Sequence, residues 1–324
     1  MRAQGGIIND MKPRVSLPPE LVDRSFLVAD GQLAGIGRSR LNGRDLASPF
    51  WGVRSAGAFD GSTHAYCRAL LQRMPPTAFF SHETAALLLG FPLPVRCLSV
   101  LPLHVGVHAP ARALTAHNVT GHSLKIGTGD LIHHGDLRFT SPVRTWLDLA
   151  AQLSVVELVT VGDFLIGGTH PLLSMDDLTQ GVGECSQRRR GLSSARLALP
   201  YLRAGSESPK ESELRMIIVL AGLPEPVCNF EIFDNAGRFL ARADLAYPEF
   251  KVLLEYQGDH HRTDRSQWRR DITRLGRVED EGWQALQFTD DDLKAPVPLT
   301  VRLAKRLTNR GWVVPPQTPD AAQH

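Results

Sequence analysis

The chain has no hydrophobic run long enough to cross a bilayer, only four cysteines and almost no net charge. Each of these lacks removes a class of explanation. A membrane helix needs about 20 consecutive apolar residues, and the opening "MRAQGGIINDMKPRVSLPPEL" lacks the apolar stretch of a signal peptide. A cytoplasmic protein with no membrane partner is therefore expected. Cys67, Cys97, Cys185 and Cys228 lie far apart and follow no CxxC or zinc-ligand spacing. They predict free thiols in a reducing compartment rather than a disulfide framework. Net charge is +2, from 36 Lys/Arg against 34 Asp/Glu. Residues 1–200 carry 19 basic against 15 acidic side chains, and residues 201–324 carry 17 against 19. Neither half is basic enough to announce nucleic-acid binding by charge, so that case must rest on local patches. There is also no internal repeat and no long low-complexity tract.

What is present is an ordinary globular composition, 43% hydrophobic and 22% charged over 324 residues. That is chain enough for about two to three domains. Residues 1–72 mix a short helical pattern with "GIGRSRLNGRDLASPFWGVR", where Arg38, Arg40, Arg44 and Arg54 give a basic stretch. An arginine-bearing helix followed by a wing binds DNA in many proteins. The favoured reading is plainer: a solvated surface with arginine stems lying over apolar neighbours.

Residues 75–182 read as a second, α+β region. "SHETAALLLGFPLP" predicts a helix capped by Ser81 and stopped at Gly90 and Pro92. "CLSVLP" and "RALTAHNVT" predict strands. "TSPVRTWLDLAAQL" predicts a helix with Ser141 as N-cap and Pro142 at its first position, with Arg144 and Asp148 paired one turn apart. His104, His108, His117, His122, His133 and His134 show no ligand spacing and are read as surface or core histidines. Residues 183–205, with Arg188, Arg189 and Arg190 among glycines and serines, read as a linker or an exposed helix joining two domains. Residues 311–324 read as a disordered tail.

The signals sharpen over 206–310. "SPKESELRMIIVLAG" carries Ser208 as N-cap, Pro209 next and Glu211 three residues after the cap, the pattern of a capping box. "PVCNFEIF", "FLARADLAY" and "FKVLLEYQ" follow as three strands, then a helix over roughly 265–281, the strand "WQALQF" and two further helices. Asp244 and Glu255 interrupt apolar strands. Strand residues two apart share a face, so Glu255 and Gln257 point the same way, and Asp244 lies on the adjacent hairpin strand. Two carboxylates from neighbouring strands, with the Tyr256 carbonyl, would make an oxygen-rich site for Mg²⁺ or Mn²⁺. A cation there would polarise a phosphate and activate water. His260 and His261 stand in the turn that follows. Six arginines fall within the sixteen residues 262–277. Beside a metal site they read as a phosphate-gripping edge, and otherwise as a solvated helix face.

Asp244, ten residues, then Glu255-Tyr256-Gln257, on an αβββαβ plan, resembles the PD-(D/E)xK nuclease superfamily. The nearer likeness is to the branch of the very-short-patch-repair endonuclease, including an actinobacterial family of unassigned function. "ESELR", "AGLPEP", "ARADLAYPEFKVLLEYQGDHHR", "RRDITRLGRVEDEGW" and "FTDDDL" carry it over about 90 residues. Residues 75–182, through "TSPVRTWLDLA", more faintly resemble AbiEi antitoxin-type proteins of toxin–antitoxin systems, in which a winged helix commonly precedes.

The resemblance implies an α/β chain: a C-terminal restriction-endonuclease-like αβββαβ domain behind a mixed α+β region with a winged-helix-like start. It implies a metal-dependent nuclease acting on nucleic acid, DNA foremost. Asp244 and Glu255 would hold the metal, Glu211 would be directed at it, and Gln257 stands where the superfamily most often has lysine. His260 or His261 would assist proton transfer. Arg262, Arg269, Arg270 and Arg274 would hold phosphate, with Asp271 and Arg274 in the family's "D..R" pattern. The rival expectation is an antitoxin-like DNA-binding regulator whose nuclease fold is catalytically silent.

Overall fold

The protein is described by a computed structural model, which covers residues 15–57, 59–185, 189–257 and 274–313. The chain is mixed α/β and divides into two units, Met1–Leu89 with Leu98–Ser141, and Gly90–Cys97 with Pro142–His324. No helix among the described residues is long and apolar enough to cross a membrane.

In the first unit, β1 (Ser25–Leu27) pairs antiparallel with β2 (Val53–Ser55), and the short helices α1 (Val28–Leu33) and α2 (Arg38–Leu41) lie between them in sequence. Leu21, Phe26, Ile36, Leu41 and Leu46 give this segment a small core of its own. Helix α3 (Thr63–Leu71) follows, with Ser62 accepting the Ala65 N–H as its cap. The rest is a six-stranded sheet in the order β5-β6-β4-β3-β8-β7. Its strands are β3 (Phe79–Phe80), β4 (Leu103–His108), β5 (Thr115–Ala116), β6 (Val119–Leu124), β7 (Leu131–His134) and β8 (Leu137–Thr140), and helix α4 (His82–Leu88) joins β3 to β4. The strand expected at "CLSVLP" begins only at Leu103, just past Pro102. Proline has no N–H to give a ladder, so pairing starts beyond it.

The second unit opens with helices α5 (Pro142–Leu149), α6 (Val155–Ile166), α7 (Met175–Glu184) and α8 (Leu192–Ala198). Helix α5 starts at Pro142 as expected, and Arg144 Nε reaches Asp148 Oδ1 at 3.2 Å. The stretch 183–205 is not a bare linker. Over the described residues 189–205, Leu192, Ala195, Ala198 and Leu202 are buried in a helical core, and the division between the two units falls at Pro142.

Helix α9 (Pro209–Leu220) is tied to α6 by a buried ion pair, Arg215 Nη2 to Asp163 Oδ2 at 2.8 Å, with Ser212 Oγ donating to the same oxygen at 2.7 Å. Breaking one side of such a pair costs about 3–5 kcal/mol.

Strands β9 (Val227–Phe233), β10 (Phe239–Tyr247), β11 (Val252–Tyr256) and β12 (Gln284–Phe288) form a sheet in the order β12-β11-β10-β9. The pairings of β9 with β10 and of β10 with β11 are antiparallel, and β11 with β12 is parallel. A parallel neighbour needs a crossover, and the described part of it is a helical stretch over 274–280, α10. Helices α11 (Asp290–Lys294) and α12 (Pro296–Thr308) close the chain. The sheet is covered on both faces. Leu245, Tyr247, Val252, Leu254 and Phe288 pack with Leu214 and Ile218 of α9 and with Leu299, Leu303 and Leu307 of α12. Ala246 and Leu253 pack on the other side with Val278 and Trp283.

Candidate functional site

Register brings the first two carboxylates together. Leu245 pairs with Leu254 and Ala246 with Leu253, so the next step along the two strands sets Asp244 beside Glu255. The paired stretch ends there, and the Tyr256 N–H beyond it donates to Asp244 Oδ2 at 2.9 Å. The sequence pointed to the Tyr256 carbonyl as a donor to metal; in the structure the same residue's amide anchors Asp244. Period two puts Glu255 on the face of Leu253, where it is only 5% exposed. A charge so buried needs a partner, and Arg274 Nη2 supplies one at 2.7 Å from Glu255 Oε1.

The third carboxylate arrives on the first turn of α9. Ser208 Oγ accepts the Glu211 N–H at 3.2 Å, which is half of the expected capping box. The other half is replaced. Glu211 Oε2 accepts from the Glu207 N–H at 3.0 Å, one residue ahead of the cap. Glu211 is buried, and burial pushes its carboxyl above the ordinary range, with the negative charges of Asp244 and Glu207 adding to the rise. Burial likewise raises Asp244, against the Tyr256 N–H and the charges of Arg274 and Arg242, which pull it down. Acidic groups withdrawn from water and crowded by like charge favour the neutral form.

The structure therefore brings together Asp244, Glu255, Glu211, Gln257 and Arg274. Gln257 reaches Glu255 only loosely, with Nε2 3.5 Å from Oε2. Arg274, expected on phosphate, is paired with the buried Glu255 carboxylate. His260, His261, Arg262, Arg269, Arg270 and Asp271 lie outside the described residues. The basic stretch of the first unit divides in two. Arg40 pairs with Asp45 at 2.8 Å, and Arg54 donates to the Leu41 carbonyl and to Asn42, so both serve the local fold. Arg38 and Arg44 are exposed.

Several neighbours of the site carry no signal in the sequence. Arg242 forms an ion pair with Glu207. Lys210 Nζ lies 2.7 Å from Asp290 Oδ1, which also accepts from the Tyr256 hydroxyl at 3.0 Å. This joins the starts of α9 and α11 to the end of β11. A cavity of about 630 Å³ opens alongside, its wall including Gly168, His170, Glu207, Ser208 and Arg242. A turn-by-turn reading misses such groups because their partners are tens of residues away in the chain.

The donors fit a hard divalent cation. All three are carboxylates, and Mg²⁺ is commonly held by one or two carboxylates plus substrate phosphate. Among the described residues the three carboxylates do not close into a tight triad of ligand atoms. Each is drawn to its own partner: Arg274, the Tyr256 amide or the Glu207 amide.

No family model and no solved structure matches the chain. Two curated proteins of Mycobacterium tuberculosis, from strains CDC 1551 and H37Rv, are similar to it. Each is 28% identical over 226 residues, covering 69% of this chain and 79% of its own length, and both are described as uncharacterized.

Proposed function

We propose that the second unit is a metal-dependent nuclease of restriction-endonuclease-like fold, hydrolysing phosphodiester bonds, with DNA as the expected substrate. The observation that carries this reading is the placement of Asp244 and Glu255 side by side at the end of a buried ladder, with Glu211 converging from α9. A strand built only for packing gains nothing from two such groups. Asp244 and Glu255 would hold Mg²⁺ or Mn²⁺, which when bound supplies charge to polarise a phosphate oxygen and to acidify water. Glu211 adds negative charge at the rim of the same site. Arg274 provides the positive charge that Gln257 cannot, and Gln257 offers an amide to a water or a phosphate oxygen. The cavity walled by Glu207, Ser208 and Arg242 gives a nucleotide room at the start of α9.

One observation favours a second reading. Glu255 is already neutralised by Arg274, and glutamine stands where the resemblance expects lysine. A silent nuclease fold that binds DNA as an antitoxin-like regulator is consistent with both, and exposed Arg38 and Arg44 would then contact phosphate.

A cleavage assay separates the two. Supercoiled plasmid, single-stranded DNA and a structured RNA are incubated with Mn²⁺ or Mg²⁺, with Asp244→Ala as control. Metal-dependent cutting that disappears in the variant supports the nuclease and identifies its substrate. Full activity in Asp244→Ala overturns the site. Salt-dependent DNA binding without cutting, indifferent to metal, moves the assignment to the regulator.

A further inference from the structure

The histidines of the first unit, scattered in sequence, do not remain scattered in space. His82 opens helix α4, His104 lies on β4 and His122 on β6. Strands β4 and β6 run parallel with His104 opposite Thr120 and His122 opposite Gly106, which puts the two imidazoles on one face, a diagonal step apart. His104 Nδ1 and His122 Nε2 are 3.0 Å apart. The His82 ring stacks on His122 at 3.9 Å between centroids and 15° between planes. One ring nitrogen from each of the three lies within 4.8 Å of the others, and among the described residues no other group of three ligating side chains does so.

Two details of the local structure fall at this cluster. Ser81, expected to cap α4, makes no side-chain cap bond; its hydroxyl lies 3.0 Å from His82 Nδ1 instead. His82 itself sits at φ +48°, in the left-handed region that a non-glycine residue adopts at a cost, and it is 8% exposed. Glu83, the next residue, places Oε2 3.0 Å from His104 Nδ1. This is the same ring nitrogen that lies 3.0 Å from His122 Nε2, so Glu83 brings negative charge to the cluster itself.

We propose that His82, His104 and His122 form a binding site for Zn²⁺, with Glu83 supplying negative charge beside it. A tetrahedral site with Zn–N of about 2.1 Å separates its ligand nitrogens by roughly 3.4 Å. The three nitrogens thus need side-chain rotation to close on an ion, not movement of strands. Imidazole donors suit zinc better than the hard cations expected at the carboxylates. The three ligands come from one helix and two strands, so a bound ion would pin the start of α4 to the sheet. This site is independent of the nuclease reading, because it shares no residue with the carboxylate cluster.

The test uses the full-length, untagged protein stripped with a chelator and titrated with Co²⁺, whose d–d absorption reports tetrahedral nitrogen ligation, followed by displacement with Zn²⁺. One equivalent is expected to bind with the tetrahedral signature, with a rise in the unfolding temperature. His122→Gln and His104→Gln should each weaken binding at least tenfold, and Glu83→Gln should weaken it by a smaller factor. Asp244→Ala should leave the titration unchanged. Absence of tetrahedral Co²⁺ binding in the parent protein overturns the proposal without recourse to any variant. Binding that survives both histidine substitutions, or that disappears with Asp244→Ala, overturns it equally.

Discussion

The two larger sheets of this protein each collect ionisable side chains at one place, but by different means and with different chemistry. In the four-stranded sheet, Asp244 and Glu255 meet across an antiparallel register, and both are carboxylates that burial drives toward neutrality or toward a counter-charge. In the six-stranded sheet, His104 and His122 meet across a parallel register and are joined by a histidine from helix α4. Oxygen donors point to a hard cation and imidazoles to a borderline one. The comparison teaches that position in a ladder, more than residue type, is what makes a cluster.

The largest effect that would test this contrast is on catalysis. Asp244→Ala should reduce metal-dependent cleavage by about 10²–10³-fold, equivalent to several kcal/mol of transition-state stabilisation. Its circular dichroism and its zinc titration should match the parent protein. A variant that loses both cleavage and zinc binding would show that the two clusters are not separate sites.

Arg274→Gln comes next. It leaves a carboxylate that is 5% exposed short of positive charge, and should destabilise the protein by about 1–3 kcal/mol in urea unfolding. Added Mg²⁺ should recover more stability in this variant than in the parent, since the cation replaces the missing charge.

A pH series sharpens the electrostatic side. The folded-state carboxyls of Asp244 and Glu211 are raised, mainly by burial. Their contribution to stability is therefore fully present below the ordinary carboxylate range and is lost as pH rises through the raised values. Asp244→Asn, which cannot ionise, should gain stability relative to the parent as pH climbs from that range to neutrality. Mn²⁺ should narrow the gap by stabilising only the parent. Thermal melts at stepped pH, with and without Mn²⁺, measure both.

The smallest effect belongs to the basic surface of the first unit. Arg38→Ala with Arg44→Ala should change stability by no more than about 0.5 kcal/mol, as both side chains are exposed. If this surface binds DNA, the slope of log affinity against log salt should become shallower by about 0.9 for each phosphate the protein no longer neutralises. An unchanged slope would assign these arginines to solvation alone.

The acidic cluster was legible in the sequence because a carboxylate breaks the apolar alternation of a strand, and Asp244 and Glu255 each do so visibly. The succession of strands β9 to β12 was legible for a related reason: apolar runs were bounded by recognisable turns, such as Asp234 to Gly237, where Asp234 accepts the Ala236 and Arg238 amides. The histidine cluster was not legible. His104 and His122 sit in strands without disturbing any pattern, and His82 follows a serine that reads as a helix cap. Nor was the fate of residues 183–205 readable, since the arginines and glycines of a linker look the same when part of the segment folds into a helical core.

By itself, then, the sequence determined the α/β character, the succession of strands from β9 to β12, and the two carboxylates that interrupt two of them. These follow from local periodicity and turn chemistry, which act over a few residues. The tertiary structure alone decided that Arg274 neutralises Glu255, that Glu211 reaches past its cap to the Glu207 amide, and that three histidines from a helix and two strands come within a ligand's distance. Each of these depends on chain crossings or on a choice between competing partners, and burial settles the choice by making an unpaired polar group too costly to leave.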